Sequence, residues 1–167
     1  SLCLKAVTSP GDTVAIESPA YFGIYQAIES LGLKVVEITT DPVNGVDLDH
    51  LQKAIKKFPI KACVFIPNFN NPLGSCMPDE NKKKLVEIIT RHHSPLSEDD
   101  IYGQLYFGKT RPKNCKYYDT KGMVMYCSSL SKSLSPGYRI GWVIPGKFFD
   151  QVKQLKRIQN ISGPTLT

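Results

Sequence analysis

The sequence predicts an α/β fold built on a largely parallel sheet, and three observations carry that prediction. Short β-branched runs alternate with amphipathic helical stretches from one end of the chain to the other. Glycine, proline and aspartate punctuate the joins between them. Polar segments follow directly on apolar strands, at the strand ends where a sheet of this kind presents groups to a ligand.

The elements follow in order. Ser9-Pro10-Gly11-Asp12 is a turn signal, and Thr13 to Glu17 reads as the first strand. Phe22 to Leu31 reads as a helix ended by Gly32 in the C′ position, where a residue without Cβ turns left-handed at little cost. Leu33 to Ile38 is the next strand. Asp47 is placed to cap a helix from Leu48 to Phe58, since Leu48, Leu51, Ile55 and Phe58 recur at three- and four-residue spacing and share a face. Lys61 to Ile66 returns as a buried strand. Pro78 suits the first turn of a helix that carries Leu85, Val86, Ile88 and Ile89 and ends near Arg91. Leu96 to Glu98 is a short strand. After a loop, Met123 to Cys127 and Ile140 to Ile144 read as strands and Phe148 to Ile161 as the last helix.

Composition bounds the function classes. With 167 residues, 41% hydrophobic and 22% charged, the chain has the balance of a soluble globular domain. No apolar run approaches the roughly 18 residues of a membrane span, so a membrane protein is excluded, and no secretory signal opens the chain. The start at Ser1 and the end just after a helical pattern point to a fragment of a longer protein. The five cysteines, Cys3, Cys63, Cys76, Cys115 and Cys127, are odd in number and lack a Cys-x-x-Cys pair. That argues against a disulfide framework and against zinc, and places the protein in the cytoplasm. The net charge of +6 is scattered. Lys82-Lys83-Lys84 reads as a solvated helix face rather than a nucleic-acid patch, because no aromatics interleave it. Gly-x-Gly-x-x-Gly and the Walker phosphate loop are both absent.

Three segments carry chemistry. In Ser128-Ser129-Leu130-Ser131-Lys132-Ser133-Leu134-Ser135-Pro136-Gly137-Tyr138-Arg139, one lysine sits among hydroxyls with an arginine seven residues on. A neighbouring cation and partial burial would disfavour its ammonium form and free the amine to form a Schiff base. Taken alone, a surface lysine in a serine-rich loop explains the segment as well. Pro67-Asn68-Phe69-Asn70-Asn71-Pro72-Leu73-Gly74 is a turn that leaves an asparagine amide at the strand ends. Glu98-Asp99-Asp100-Ile101-Tyr102 sets a carboxylate and a phenol three residues apart. The histidines His50, His92 and His93 need no role beyond helix ends and surface.

In this order the three segments resemble the fold-type I, pyridoxal phosphate-dependent class I/II aminotransferase family. The resemblance implies the three-layer α/β/α architecture of that family's large domain. It further implies that Lys132 forms a Schiff base with the cofactor aldehyde and moves the substrate proton. Asp99 would pair with the pyridine nitrogen, the family's three-residue offset to the tyrosine selecting it over Asp100. Tyr102 and Asn71 would hydrogen-bond the ring's phenolic oxygen, and Ser129 and Arg139 would hold the phosphate. Glu17-Ser18-Pro19-Ala20-Tyr21 matches the segment whose aromatic stacks on the cofactor ring, which makes Tyr21 the candidate. A core aromatic between strand and helix is the competing account of Tyr21.

The match covers the central part of that large domain, residues 1–167. The family's glycine-containing phosphate turn falls upstream of Ser1 and its carboxylate-binding arginine downstream of Thr167, a position that Arg91, Arg111 and Arg157 do not fill. The fragment alone is therefore expected to transaminate weakly or not at all. The wording of the motifs is most similar to MocR-type members of the GntR regulators, in which a winged helix-turn-helix domain is fused to an aminotransferase-like domain. That resemblance implies an effector-binding and dimerisation domain that takes pyridoxal 5′-phosphate and an amino acid or 2-oxo acid, forms a homodimer, and meets DNA only through a domain outside this chain. A free-standing aminotransferase acting on amino acids and 2-oxo acids is the alternative. Ser97 departs from the family by interrupting a strand usually kept apolar.

Overall fold

A computed structural model describes residues 1–160, 162 and 163. Its elements are α1 (Leu2–Val7), β1 (Thr13–Ser18), α2 (Phe22–Ser30), β2 (Lys34–Asp41), β3 (Gly45–Val46) and α3 (Leu48–Lys57), then β4 (Ile60–Phe65), α4 (Asp79–Arg91), β5 (Leu96–Asp99), β6 (Val124–Ser129), β7 (Gly141–Ile144) and α5 (Phe149–Gln159). Three short 3-10 turns, Cys115–Tyr118, Pro136–Tyr138 and Gly146–Phe148, fill the loops. Seven strands form one sheet in the order β3-β2-β1-β4-β5-β6-β7. The five strands from β2 to β6 run parallel, and β3 and β7 close the edges antiparallel.

The period of two along each strand builds the layers. Ala15, Cys63, Phe65 and Val124 face one side, where Leu51 and Ala54 of α3 and Leu85 and Ile89 of α4 cover them. Val14, Ile16, Ala62 and Val64 face the other, against Leu4 of α1 and Ile28 of α2, while Met125 meets Val152 of α5. With helices on both faces the central strands are buried throughout, which is why they read as continuous apolar runs rather than alternating ones. The architecture is the three-layer α/β/α sandwich. The crossovers from β1 lead outward to β2, and those from β4 lead the other way through β5 to β6, so the strand order reverses between β1 and β4. The crevice outside the carboxyl ends at such a reversal is where open α/β sheets bind ligands.

Local chemistry accounts for the ends of the elements. Asp47 caps α3, its carboxylate accepting from the His50 amide at 2.9 Å. Gly32 follows the α2 C-cap with φ +64°. The structure corrects several expectations. Phe58 lies past the end of α3 and is 38% exposed, because the chain turns extended there and takes it off the apolar face. Lys82 is buried, whereas Lys83 and Lys84 are exposed. It falls on the same inward stripe as Leu85, Val86 and Ile89, and its ammonium reaches out to donate to the Lys113 carbonyl at 2.7 Å. Helix α1 and strand β3 are additions, and Pro78 sits at the N-cap of α4 rather than within its first turn. The expected end of α5 at Ile161 lies outside the described residues. The Ser97 hydroxyl, buried in β5, lies 3.8 Å from the Cys127 sulfur. No helix among the described residues is long and apolar enough to cross a membrane.

Candidate functional site

The loops leaving β1, β4, β5 and β6 meet at the carboxyl edge of the sheet, and each delivers one of the residues singled out from sequence. Asp99 is the last residue of β5, and Cys127 of β6 lies beside it in register. Asp99 also lines a cavity of about 320 Å³ with Tyr21 from the β1 loop, Ile24 of α2, and Ser97, Cys127 and Ser129 of β5 and β6. One Asp99 oxygen accepts from the Ile101 amide at 3.1 Å. Among the described residues no cation pairs with this carboxylate. Burial pushes its pKa up, against the pull of that amide.

The adjoining Asp100 is in the opposite situation. Its carboxylate accepts from Asn68 at 3.1 Å, from Tyr126 at 2.9 Å and from the Arg111 guanidinium, deep in the protein. Period-two alternation sends the two side chains to opposite faces of the strand end, so only Asp99 meets the cavity. Arg111, a residue that sequence patterning left without a role, is engaged by this network and is no free anion site.

Beyond the strand ends the loops bring the remaining groups together. The Asn71 amide donates to the Tyr102 hydroxyl at 3.4 Å. Lys132 extends its ammonium to 5.9 Å from the centre of the Tyr102 ring, so these three side chains form one cluster. The loop after β6 is folded back on itself, with the amides of Leu134 and Ser135 donating to the Leu130 carbonyl. The Ser129 hydroxyl accepts from the Ser131 amide at 3.2 Å. Arg139 sits in the left-handed region at φ +52°, a conformation that costs free energy for a residue with a Cβ. Its guanidinium donates to the Pro136 carbonyl at 3.3 Å and forms no ion pair among the described residues.

One expectation about this cluster changes and one choice between two accounts is narrowed. Lys132, on the loop after β6, is exposed rather than partly buried. Tyr21 is 40% exposed and borders the cavity, its ring tilted on Phe22 with centroids 4.6 Å apart. It is therefore a wall of the cavity and not a core aromatic.

Sequence patterning also missed a set of buried polar groups under the site. Glu17 in β1 accepts from the Ile66 amide at 2.7 Å, and Glu98 in β5 accepts from the amides of Cys115 and Lys116 at 2.6 and 3.0 Å. Burial pushes both carboxyls up to about 7. The signal of Glu17 in the sequence is an acidic residue at the end of the apolar run Val14-Ala15-Ile16. Among the described residues, the buried Asn70 amide nitrogen has no hydrogen-bond partner. Among the described residues no three His, Cys, Asp or Glu side chains converge for a metal.

Comparison with known proteins places these features in a lineage. The family model for aminotransferase class I and II matches residues 1–167. The chain is 45% identical over 156 residues to the uncharacterized HTH-type transcriptional regulator YjiR of Escherichia coli K12, covering 93% of this chain and 33% of that protein. It is 41% identical over 162 residues to YdcR of the same organism, also named an uncharacterized HTH-type transcriptional regulator, covering 97% of this chain and 35% of that one. Among solved structures, LysN of Thermus thermophilus, an alpha-aminoadipate aminotransferase complexed with N-(5′-phosphopyridoxyl)-L-leucine, superposes with a TM-score of 0.88 at 28% identity, over 98% of this chain and 43% of its own. The chain thus spans about a third of the length of the curated relatives it matches.

Proposed function

The chain belongs to the class I and II aminotransferase family, and from that premise we propose that it is the pyridoxal 5′-phosphate-binding effector and dimerisation part of a GntR/MocR-type transcriptional regulator. The observation that carries the reading is the placement of Tyr21, Asp99 and Ser129 on one cavity at the carboxyl ends of the strands, with Asn71, Tyr102 and Lys132 clustered on the loops that leave β4, β5 and β6. Identity to two HTH-type regulators supports the regulatory part of it.

The donor set fits the cofactor. The cavity offers an aromatic wall in Tyr21, the Ser129 hydroxyl and, in Asp99, a desolvated carboxylate with no ion pair among the described residues, while the exposed Lys132 and Arg139 stand on the loop after β6. When bound, the cofactor supplies a pyridine ring that takes up the electron pair left at a substrate carbon. Asp99 keeps a protonated ring nitrogen charged, and the buried carboxylate gains in that cation the partner it lacks. Tyr102, held by Asn71, donates its hydroxyl toward the ring oxygen. Ser129 and Arg139 take the phosphate, the arginine as a planar fork preset by its backbone. Lys132 Nζ would hold the cofactor covalently until the amine of an incoming amino acid displaced it, and the lysine amine so freed would take and return the α-proton.

On this reading the chain is the central part of a larger domain that binds an amino acid or 2-oxo acid, pairs with a second copy, and leaves DNA to a separate domain. Exposed Phe22, Phe107 and Leu134 supply apolar surface for the second copy. The second reading, part of a free-standing aminotransferase, is favoured by the superposition on LysN. A visible absorption scan of the full protein with added pyridoxal phosphate tests both. The expected result is a band above that of the free cofactor which needs Lys132, is lost in Lys132→Ala, and shifts with one class of amino acid without sustained turnover. Sustained conversion of amino acid to 2-oxo acid selects the enzyme. Equal spectra for wild type and Lys132→Ala would overturn the cofactor assignment.

A further inference from the structure

Beside the candidate cofactor cavity lies a larger, mostly apolar one of about 520 Å³, lined by two thiols that the proposed function does not use, one of them on the wall that the two cavities share. Cys3 on α1 and Cys127 on β6 stand with their sulfurs 3.4 Å apart across 124 residues of sequence. Both line the larger cavity, and Cys127 lines the smaller one as well. Both are free. The other cysteines have no such neighbour: Cys63 and Cys115 are buried among core side chains of the opposite face, and the Cys76 sulfur lies 3.5 Å from the Asn68 oxygen.

We propose that Cys3 and Cys127 are a peroxide-responsive thiol pair, closing on oxidation into a disulfide that pins α1 to β6. Two observations support it. The sulfurs are already in contact, 3.4 Å apart, and need to close to about 2.05 Å. The larger cavity reaches both sulfurs, and a hydroperoxide is small enough to enter it. The contact also differentiates the two groups, drawing Cys3 below the ordinary thiol value while raising Cys127, so Cys3 is the first to become a thiolate.

The chemistry balances with hydrogen peroxide as oxidant. The Cys3 thiolate attacks one peroxide oxygen, the O–O bond breaks, and the departing hydroxide takes a proton to leave as water, with a sulfenic acid on Cys3. The Cys127 sulfur then attacks that sulfur. The S–O bond breaks, the leaving hydroxide takes up the Cys127 proton as a second water, and the S–S bond forms. Two electrons pass from the sulfur pair to the peroxide. The pair is independent of the cofactor reading, because both thiols and their cavity belong to the fold.

The test treats the full protein carrying these residues with hydrogen peroxide and digests it with trypsin under non-reducing conditions. The expected product is the peptide ending at Lys5 joined to the segment Gly122 to Lys132, two hydrogens lighter than the reduced pair and separated by dithiothreitol. The thiol titre should fall by two per chain and the unfolding midpoint should rise. Neither change should occur in Cys3→Ala or Cys127→Ala. Irreversible oxidation of either cysteine without the link, a link to Cys63 or Cys115, or an unchanged titre would overturn the proposal. The wild-type peptide map decides the question even where a variant fails to fold.

Discussion

Asp99 holds one backbone hydrogen bond and, among the described residues, no ion pair, while the adjoining Asp100 accepts from Asn68, Tyr126 and Arg111. The two should therefore fail differently. Asp99→Asn is expected to leave unfolding by urea nearly unchanged and to weaken pyridoxal phosphate binding about tenfold to a hundredfold, the worth of a hydrogen bond to a charged group. Asp100→Asn should cost about 1–3 kcal/mol of stability, because a buried acceptor becomes a donor among donors. Equal losses in the two variants would contradict this division. Glu17 adds a pH dependence. Its folded pKa, near 7, lies above the ordinary carboxyl value, so between about 4.5 and 7 the unfolded chain releases the proton first. Stability then falls as pH rises through that window, by a total on the order of 3 kcal/mol. Glu17→Gln keeps an acceptor for the Ile66 amide and removes the titration, so urea midpoints of this variant should lose that part of the slope. Motif order and the family resemblance it carries were enough to propose the candidate site residues from the sequence. Tertiary facts were not legible, such as Arg111 crossing to Asp100 or Lys82 turning inward, since the partner comes from a segment far along the chain.

At the scale of elements, local chemistry and pattern agree wherever an element is long or capped. Asp47 before α3 shows how much a single position carries: it satisfies the His50 amide at 2.9 Å and leaves the helix dipole a negative group at its positive end. Asp47→Ala should cost about 1 kcal/mol in urea titration, and Asp47→Ser should restore most of it. Equal losses in Asp47→Ala and Asp47→Ser would point to the charge alone. The same logic explains what was hard to read. Strands β1 and β4 announce themselves because burial on both faces demands unbroken apolar runs. Strand β3 is two residues long and has no period to detect. It pairs with β2 at the edge of the sheet. Arg139 is the reverse case: its left-handed backbone is invisible to propensity and arises from the 3-10 turn at Pro136–Tyr138 that aims the loop.

At the scale of the molecule, the strand order reverses between β1 and β4, and the groups proposed to hold the cofactor come from several elements: Tyr21, Asp99 and Ser129 line one cavity, while Asn71, Tyr102, Lys132 and Arg139 stand on the loops after β4, β5 and β6. No single loop can assemble that site, so ligand binding is linked to the integrity of the whole sheet. A ligand held this way binds the folded state alone and stabilises it by mass action, by about 2.7 kcal/mol at a hundredfold excess over its Kd. Pyridoxal phosphate should therefore raise the unfolding midpoint of the full protein progressively with concentration. Arg139→Ala should shift that dependence to higher cofactor concentration while leaving the midpoint without cofactor unchanged or raised, since removing the guanidinium touches only the Pro136 carbonyl. Asp100→Asn should lower the midpoint at every concentration and keep the slope, because its partners lie beneath the cavity rather than in it. Parallel behaviour of the two variants would mean that the crevice does not hold the phosphate where Arg139 stands.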